Sequence, residues 1–169
     1  MLNMHAGIML LGAGCDKNPP LLVYGVEEGE LVELRGREVL FAQLCIQLYG
    51  MPVARFSGQG SRFFALKKEG KICAVAWIHR PSIFRPVFAR FGIGQDNAYF
   101  LRRIATVCPG DHAVELLEKL CERLRQEGKE VLVALGLPDH SNALYRQAGF
   151  AEVGVTPRTG HPVFVKRLR

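Results

Sequence analysis

"AYFLRRIATVCPGDHAVELLEKLCERLRQEGKEVLVAL", residues 98–135, decides how the chain is read. Its first part sets bulky apolar residues among arginines and breaks at Pro109-Gly110, which marks a strand over 99–107. From Asp111 the spacing changes. Ala113, Leu116, Leu117, Leu120, Cys121 and Leu124 recur every three or four residues and lay an apolar stripe along one helical face. Asp111 takes the N-cap position and Gly128 the C-terminal stop. "VLVAL" then reads as a short buried strand. Strand, helix and strand make a β-α-β unit over 99–135, whose right-handed crossover sets the two strands parallel and adjacent.

Before this unit, "RFFALKKEGKICAVAWI" (62–78) reads as a β-hairpin turning at Lys67 to Lys71, with Gly70 free to take a positive φ. Residues Arg37 to Tyr49 read as a helix that places Phe41, Leu44, Cys45 and Leu48 on one face and ends at Gly50 and Pro52. Residues 79–97 are the least regular part, with a strand expected around Val87 to Phe91. After the unit come a short helix in "SNALYRQAGF" (141–150), a strand near Glu152 to Val155, a Pro-Gly turn region and the closing strand "PVFVKRL" (162–168). Gly12-x-Gly14 lacks the third glycine of a dinucleotide fingerprint and runs into Pro19-Pro20, so it reads as a strand and turn or as a loose leader. The expected fold is one α/β domain over 1–169, with 1–20 as a loose or extra N-terminal segment. It has a mixed, mostly antiparallel twisted sheet, a central parallel β-α-β unit and flanking helices.

Half of the residues are hydrophobic (49%), 22% are charged, and the net charge is +6, the composition of an ordinary globular protein with a bias toward anionic partners. Phosphate, nucleic acid, an acidic surface and no specific anion all stay open. Cys15, Cys45, Cys73, Cys108 and Cys121 are scattered without a C-x-x-C pair, which argues against a disulfide framework and a zinc site and for a reducing cytoplasm. The apolar run near the start is too short to span a membrane and lacks the basic flank of a signal peptide. The expectation is a cytoplasmic protein without a membrane partner.

The turn Pro109-Gly110-Asp111-His112 opens the long helix, and the free N–H groups from Gly110 to Val114 make that start an anion cradle. The parallel strand 131–135 delivers the 141–148 helix to the same sheet edge, where ligands of such sheets bind. Asn142 and Tyr145 are thereby expected near the cradle; the plain alternative is a tyrosine packed under the sheet edge.

With those residues in place, the chain resembles the GNAT superfamily of acyl-CoA-dependent N-acyltransferases over residues 99–168. The likeness is strongest in "SNALYRQAGFAEVG", an asparagine before a short helix carrying "LY", then "GF" opening a strand. The resemblance implies acetyl-CoA or another acyl-CoA as co-substrate and a small-molecule or protein amine as acceptor. By the same resemblance, Gly110, Asp111, His112 and Ala113 would cradle the phosphates, and Asn142 would touch the pantetheine arm or adjoining phosphates. Thr106 and Val107 amides would orient the thioester, and Tyr145 would face its sulfur. A phenol of pKa ~10 suits protonation of a departing thiolate. The chain departs from the family pattern in having a single glycine in the cradle and no glutamate in "DNAYFLRRIATV". His79 is the first candidate for the base, since imidazole titrates near neutrality, with His112 or a water chain as alternatives. Arg80, Arg85, Arg90, Arg102 and Arg103 would border an acidic acceptor, a nucleic acid or the 3′-phosphate of CoA, or form a solvated face. Two rival readings share the fold: a divergent nucleic-acid-modifying protein of the Mom type, with a basic groove, and a non-catalytic CoA-ester-binding or degenerate scaffold.

Overall fold

The computed structural model describes residues 27–57, 60–81, 89–94 and 96–169. Its elements in chain order are β1 (Glu30–Leu34), α1 (Arg37–Tyr49), β2 (Arg62–Lys68), β3 (Lys71–His79), β4 (Ala98–Thr106), α2 (His112–Gln126), β5 (Val131–Leu135), α3 (Ala143–Gln147), β6 (Ala151–Val155) and β7 (Pro162–Arg167). The strands form one seven-stranded sheet in the order β1-β2-β3-β4-β5-β7-β6. Every neighbouring pair is antiparallel except β4 and β5, which run parallel. This is the mixed sheet expected from the β-α-β unit.

Local chemistry explains the turns. Glu69 (φ 49°) and Gly70 (φ 73°) both take left-handed backbone, the two-residue turn whose twist matches a right-twisted hairpin. At the end of α2, Gly128 (φ 79°) turns left-handed while the Lys129 N–H reaches the Leu124 carbonyl at 2.9 Å, so the last carbonyls are satisfied. The stripe Leu116, Leu117, Leu120, Cys121 and Leu124 is buried against Phe64, Ile78, Leu101, Leu132 and Phe164 on one face of the sheet. Ile93 and Phe91 pack on Phe100, Val133 and Val163.

Helix α1 turns a different face to the sheet than its sequence suggested. Phe41, Leu44 and Leu48 stand out to solvent, while Ala42, Cys45 and Ile46 are buried against Trp77, Val75 and Ala105. Apolar residues surround most of this helix, so periodicity alone does not choose a side. The face with the smaller Ala42 and Cys45 lets the backbone come close. A Cβ on Gly50, just past the helix, would lie 3.1 Å from the Ile104 carbonyl and the Ala105 Cβ. The strand expected around Val87 to Phe91 is not formed where it is described: Ala89 and Arg90 are helical and Phe91 lies in a turn, while 82–88 fall outside the described residues. The readings of the segment 1–20 also fall outside them. Strand β1, absent from the sequence reading, pairs Glu30 to Leu34 with Lys67 to Phe63.

One arginine ties three elements together. Arg62 of β2 grips Glu33 of β1 through Nε and Nη2 (2.8 and 2.9 Å) and Glu127 past the end of α2 through Nη1 and Nη2 (2.7 and 2.9 Å). Its guanidinium lies over the Phe64 ring at 4.9 Å. The hydrogen bonds from Arg62 hold the Glu33 carboxyl below its usual range and that of Glu127 down at about 2. Depressed carboxylates stabilise the fold above their unfolded pKa and lose that contribution as pH falls. Arg62→Met is therefore expected to lower the unfolding free energy at pH 7 by roughly 1–3 kcal/mol, the exposed part of the network trimming the effect. Urea unfolding checks it: the gap from wild type closes as pH drops from 4.5 toward 2.

Candidate active site

β4 and β5 pair only from Ala98–Val131 to Leu101–Ala134, yet β4 runs on to Thr106. The two strands thus part at Leu101. A β-bulge marks the same place. Trp77 pairs with Arg103 and Ile78 with Leu101, so β3 advances one residue while β4 advances two, and Arg102 is the extra one. A bulge bends its strand and exchanges which backbone groups face which neighbour. Beyond it, the Val107 N–H bonds the Cys73 carbonyl of β3 at 2.8 Å. Strand alternation then turns the amides of Ile104 and Thr106 toward the edge that β5 has left. A cavity of about 1030 Å³ opens there. Its walls are Met51, Phe100–Ile104 of β4, Leu135–Leu137 at and beyond the end of β5, His140–Tyr145 entering α3, and Thr156–Thr159 with His161 between β6 and β7.

The segment "SNALYRQAGF" builds one of those walls. Asn142 takes a left-handed backbone (φ 50°), which asparagine tolerates better than most residues. Its Oδ1 accepts the Leu137 N–H at 2.9 Å, and its Nδ2 donates to the carbonyls of Leu137 and His140, each at 3.0 Å. The side-chain amide therefore latches the loop from β5 to α3. Although Asn142 lines the cavity, these bonds engage its polar atoms within the loop. The other end of α3 closes with Gly149 (φ 77°): the Phe150 N–H bonds the Tyr145 carbonyl at 2.9 Å and the Gly149 N–H that of Arg146 at 3.0 Å. An apolar contact between the outer residues often accompanies this helix stop, and the rings of Tyr145 and Phe150 supply it at 5.7 Å. Tyr145 also lies on Phe164 at 5.0 Å. Burial pushes the phenol pKa up, and the nearby Arg103 guanidinium pulls it back. The tyrosine ring is thus clamped by core aromatics while Arg103 of β4, across the gap, acts on its hydroxyl.

The other sequence-derived candidates stand apart. None of Thr106, Val107, Gly110, Asp111, His112 and Ala113 borders the cavity; they lie farther along, where β4 runs into α2. The Val107 amide is engaged with Cys73, so it does not face the gap. Asp111 holds the N-cap position without a side-chain cap bond. His112 Nε2 donates to the Pro109 carbonyl at 2.8 Å and folds over Gly110, whose φ of 120° and 3.1 Å clearance leave no room for a Cβ. The acid in the first turn of α2, Glu115, is occupied by Lys68 at 2.5 Å and the Gly29 N–H at 2.6 Å. His79 is 1% exposed; its Nδ1–H donates to the Arg80 carbonyl at 2.6 Å and its ring sits between Trp77 and Phe100. Burial lowers its pKa. It lies on the Trp77 face of the sheet, whereas Tyr145 packs on the α2 face, so the structure does not bring these two together. The sequence reading missed His140, Arg158 and His161. The only signal for Arg158 and His161 was "TPRTGH", which reads as a turn and becomes a cavity wall through β6–β7 pairing, while His140 stands in "LPDHS" before α3.

No known family profile matches the chain. Solved structures do. The aminoglycoside acetyltransferase AAC(6')-Ib, in complex with paromomycin and acetyl-CoA, superposes with a TM-score of 0.60 at 12% identity, over 83% of this chain and 94% of that one. The ribosomal-protein-S18-alanine N-acetyltransferase from Escherichia coli gives 0.54 at 18% identity, over 81% and 90%. With β4 and β5 parted in this way, the chain has the fold of the GNAT N-acyltransferases. By sequence it belongs to the same family as Uncharacterized protein 154 of Sulfolobus islandicus rod-shaped virus 1: the two are 44% identical over 147 residues, 82% of this chain and 96% of that protein.

Proposed function

We propose that the chain transfers an acyl group from acyl-CoA to an amine by direct attack. The observation that carries this reading is the pairing of an unoccupied β4 edge with a clamped tyrosine across one cavity. The pantetheine arm of CoA carries amides that need strand-like partners, and the Ile104 and Thr106 backbone beyond the bulge offers them. A volume of about 1030 Å³ is at the upper end of ordinary ligand sites, enough for a long arm and an acceptor. The start of the fifteen-residue α2, with Gly110 opening it, suits the diphosphate. Acetyl-CoA or a related thioester supplies the activated acyl group.

The residues then divide the work. The β4 amides orient the thioester carbonyl. Tyr145 Oη gives its proton to the departing sulfur, and its burial keeps the phenol protonated through the physiological range. For the amine, His161, which lines the cavity, accepts the proton. Its Nδ1–H is committed to the Gly136 carbonyl at 2.9 Å, which fixes the tautomer and makes Nε2 the basic nitrogen.

Calorimetry with acetyl-CoA, followed by thiol release with amine panels, tests the reading. Turnover supports it; binding alone supports a CoA-ester sensor, and no binding a scaffold. The cradle makes a sharper prediction. The Asp111 carboxylate is exposed, uncapped and set where phosphates would lie. Asp111→Asn is expected to tighten CoA binding about two- to fivefold, the worth of one charge at a helix start. Equal or weaker binding means the phosphates sit elsewhere.

A further inference from the structure

We infer that the acceptor amine carries an oxyanion, a carboxylate or a phosphate, on the same small molecule, and that Arg103 and Arg158 receive it. This rests on the acyl-transfer reading and names its substrate class. Arg103, Arg158, His140 and His161 line the cavity, and no aspartate or glutamate stands among its described lining residues. Arg62, Arg123, Arg125, Arg146 and Arg169 each meet a glutamate. Arg103 instead donates from Nε to the Met51 carbonyl at 3.0 Å and from Nη1 to the Arg102 carbonyl at 2.7 Å. Those bonds fix the guanidinium plane, and among the described residues no carboxylate pairs with it. Burial and the neighbouring Arg102 charge push the Arg103 pKa down, as they do for a cation that lacks a counter-ion. Such a site favours a bidentate oxyanion.

The anion belongs to the acceptor. The proposed phosphate cradle lies beyond the cavity at the start of α2, whereas Arg103 acts on the Tyr145 hydroxyl, at the reacting end. Arg158 lines the same cavity from the β6–β7 connection. A polycationic acceptor would meet like charge at Arg103 and Arg158. For an anion-anchored amine the same charges help the chemistry, because a cationic environment lowers the pKa of an ammonium and raises its nucleophilic fraction. This lightens the demand on a base in a site without glutamate. The cavity must hold both the pantetheine arm and the acceptor, which favours a small molecule over a nucleic-acid strand.

The test uses the full chain labelled with ¹⁵N-arginine, the Nε–H signals of Arg103 and Arg158 being assigned through Arg103→Lys and Arg158→Lys. O-Phosphoethanolamine is titrated against ethanolamine, and β-alanine against β-alaninamide, with and without saturating CoA. At least one anion should shift both signals with an affinity tenfold or more above its neutral partner, about the worth of one charge-assisted hydrogen bond. Arg103→Gln and Arg158→Gln should each weaken that binding by roughly 5- to 50-fold. Whichever pair responds distinguishes phosphate from carboxylate. Equal binding of the neutral partners, no response at concentrations that shift the exposed Arg169, or stronger shifts with spermidine or duplex DNA would each overturn the inference. Failure of the acyl-transfer reading is separate: CoA then gives no heat in calorimetry, while the arginine signals of the CoA-free protein still report on the anion.

Discussion

If the proposed reaction holds, Tyr145→Phe is expected to lower acyl-transfer turnover by roughly 10- to 10⁴-fold, the range for losing a general acid, with CoA affinity nearly unchanged. The variant isolates the hydroxyl because the ring's structural contacts survive. Phenylalanine keeps the packing on Phe150 and Phe164 and the helix stop at Gly149. Stability should therefore stay within about 1 kcal/mol of wild type. Sulfur leaves more readily as the neutral thiol than as the thiolate. A phenol of pKa ~10, although a weaker acid than a thiol of ~8.5, stays un-ionised at neutral pH and so holds a proton to give as the C–S bond breaks. Burial raises the Tyr145 pKa, so wild-type activity should decline only above pH 10, as the phenol loses its proton. The variant should lack that alkaline limb. Steady-state rates, pH profiles and calorimetry with CoA read all three effects. Full activity in the phenylalanine variant would reduce Tyr145 to a core residue.

How much of this was visible in the chain depends on whether a feature is local. The α2 stripe, its stop at Gly128 and the hairpin turn at Gly70 rest on spacing and φ, and each formed where the residues placed it. The parallel pair and the Asn-to-Gly-Phe segment followed from the same logic. The bulge at Arg102 has no local signature. It is a mismatch of register between β3 and β4, set by pairing across the sheet, and it moves the unpaired edge into the Arg102–Thr106 stretch. The sequence reading put the thioester-orienting amides at Thr106 and Val107; the pairing turns Thr106 toward the gap and commits Val107 to Cys73. The cavity itself sits a few residues earlier, beside Arg102 to Ile104. Asn142 shows a second limit. Its position was legible, but the three bonds that engage its amide depend on a loop geometry that no periodicity encodes. Helix α1 shows a third, since an all-round apolar helix needs its partner to decide which side is buried.

The same loop gives the largest expected effect on stability. Gly136 follows β5, and its N–H and carbonyl are both taken, by Pro162 at 2.8 Å and by His161 Nδ1 at 2.9 Å. A Cβ here would stand 2.6 Å from Asn142 Oδ1 and 2.8 Å from Phe164 Cε2. Neither can yield easily. Asn142 is held by three hydrogen bonds, and Phe164 is fully buried under Tyr145. Gly136→Ala is thus expected to cost about 2–4 kcal/mol, overpacking plus the weakened latch, measured by urea unfolding. The pair Gly136→Ala with Asn142→Ala separates the two causes. Removing the amide relieves one clash and loses bonds that the first change has already weakened. The double variant should therefore be less destabilised than the sum by about 1–2 kcal/mol. Turnover of the folded Gly136→Ala protein should fall as well, because displacing Asn142 or Phe164 moves the platform on which Tyr145 rests. Additive costs with unchanged turnover would mean that the loop holds the tyrosine by some other contact.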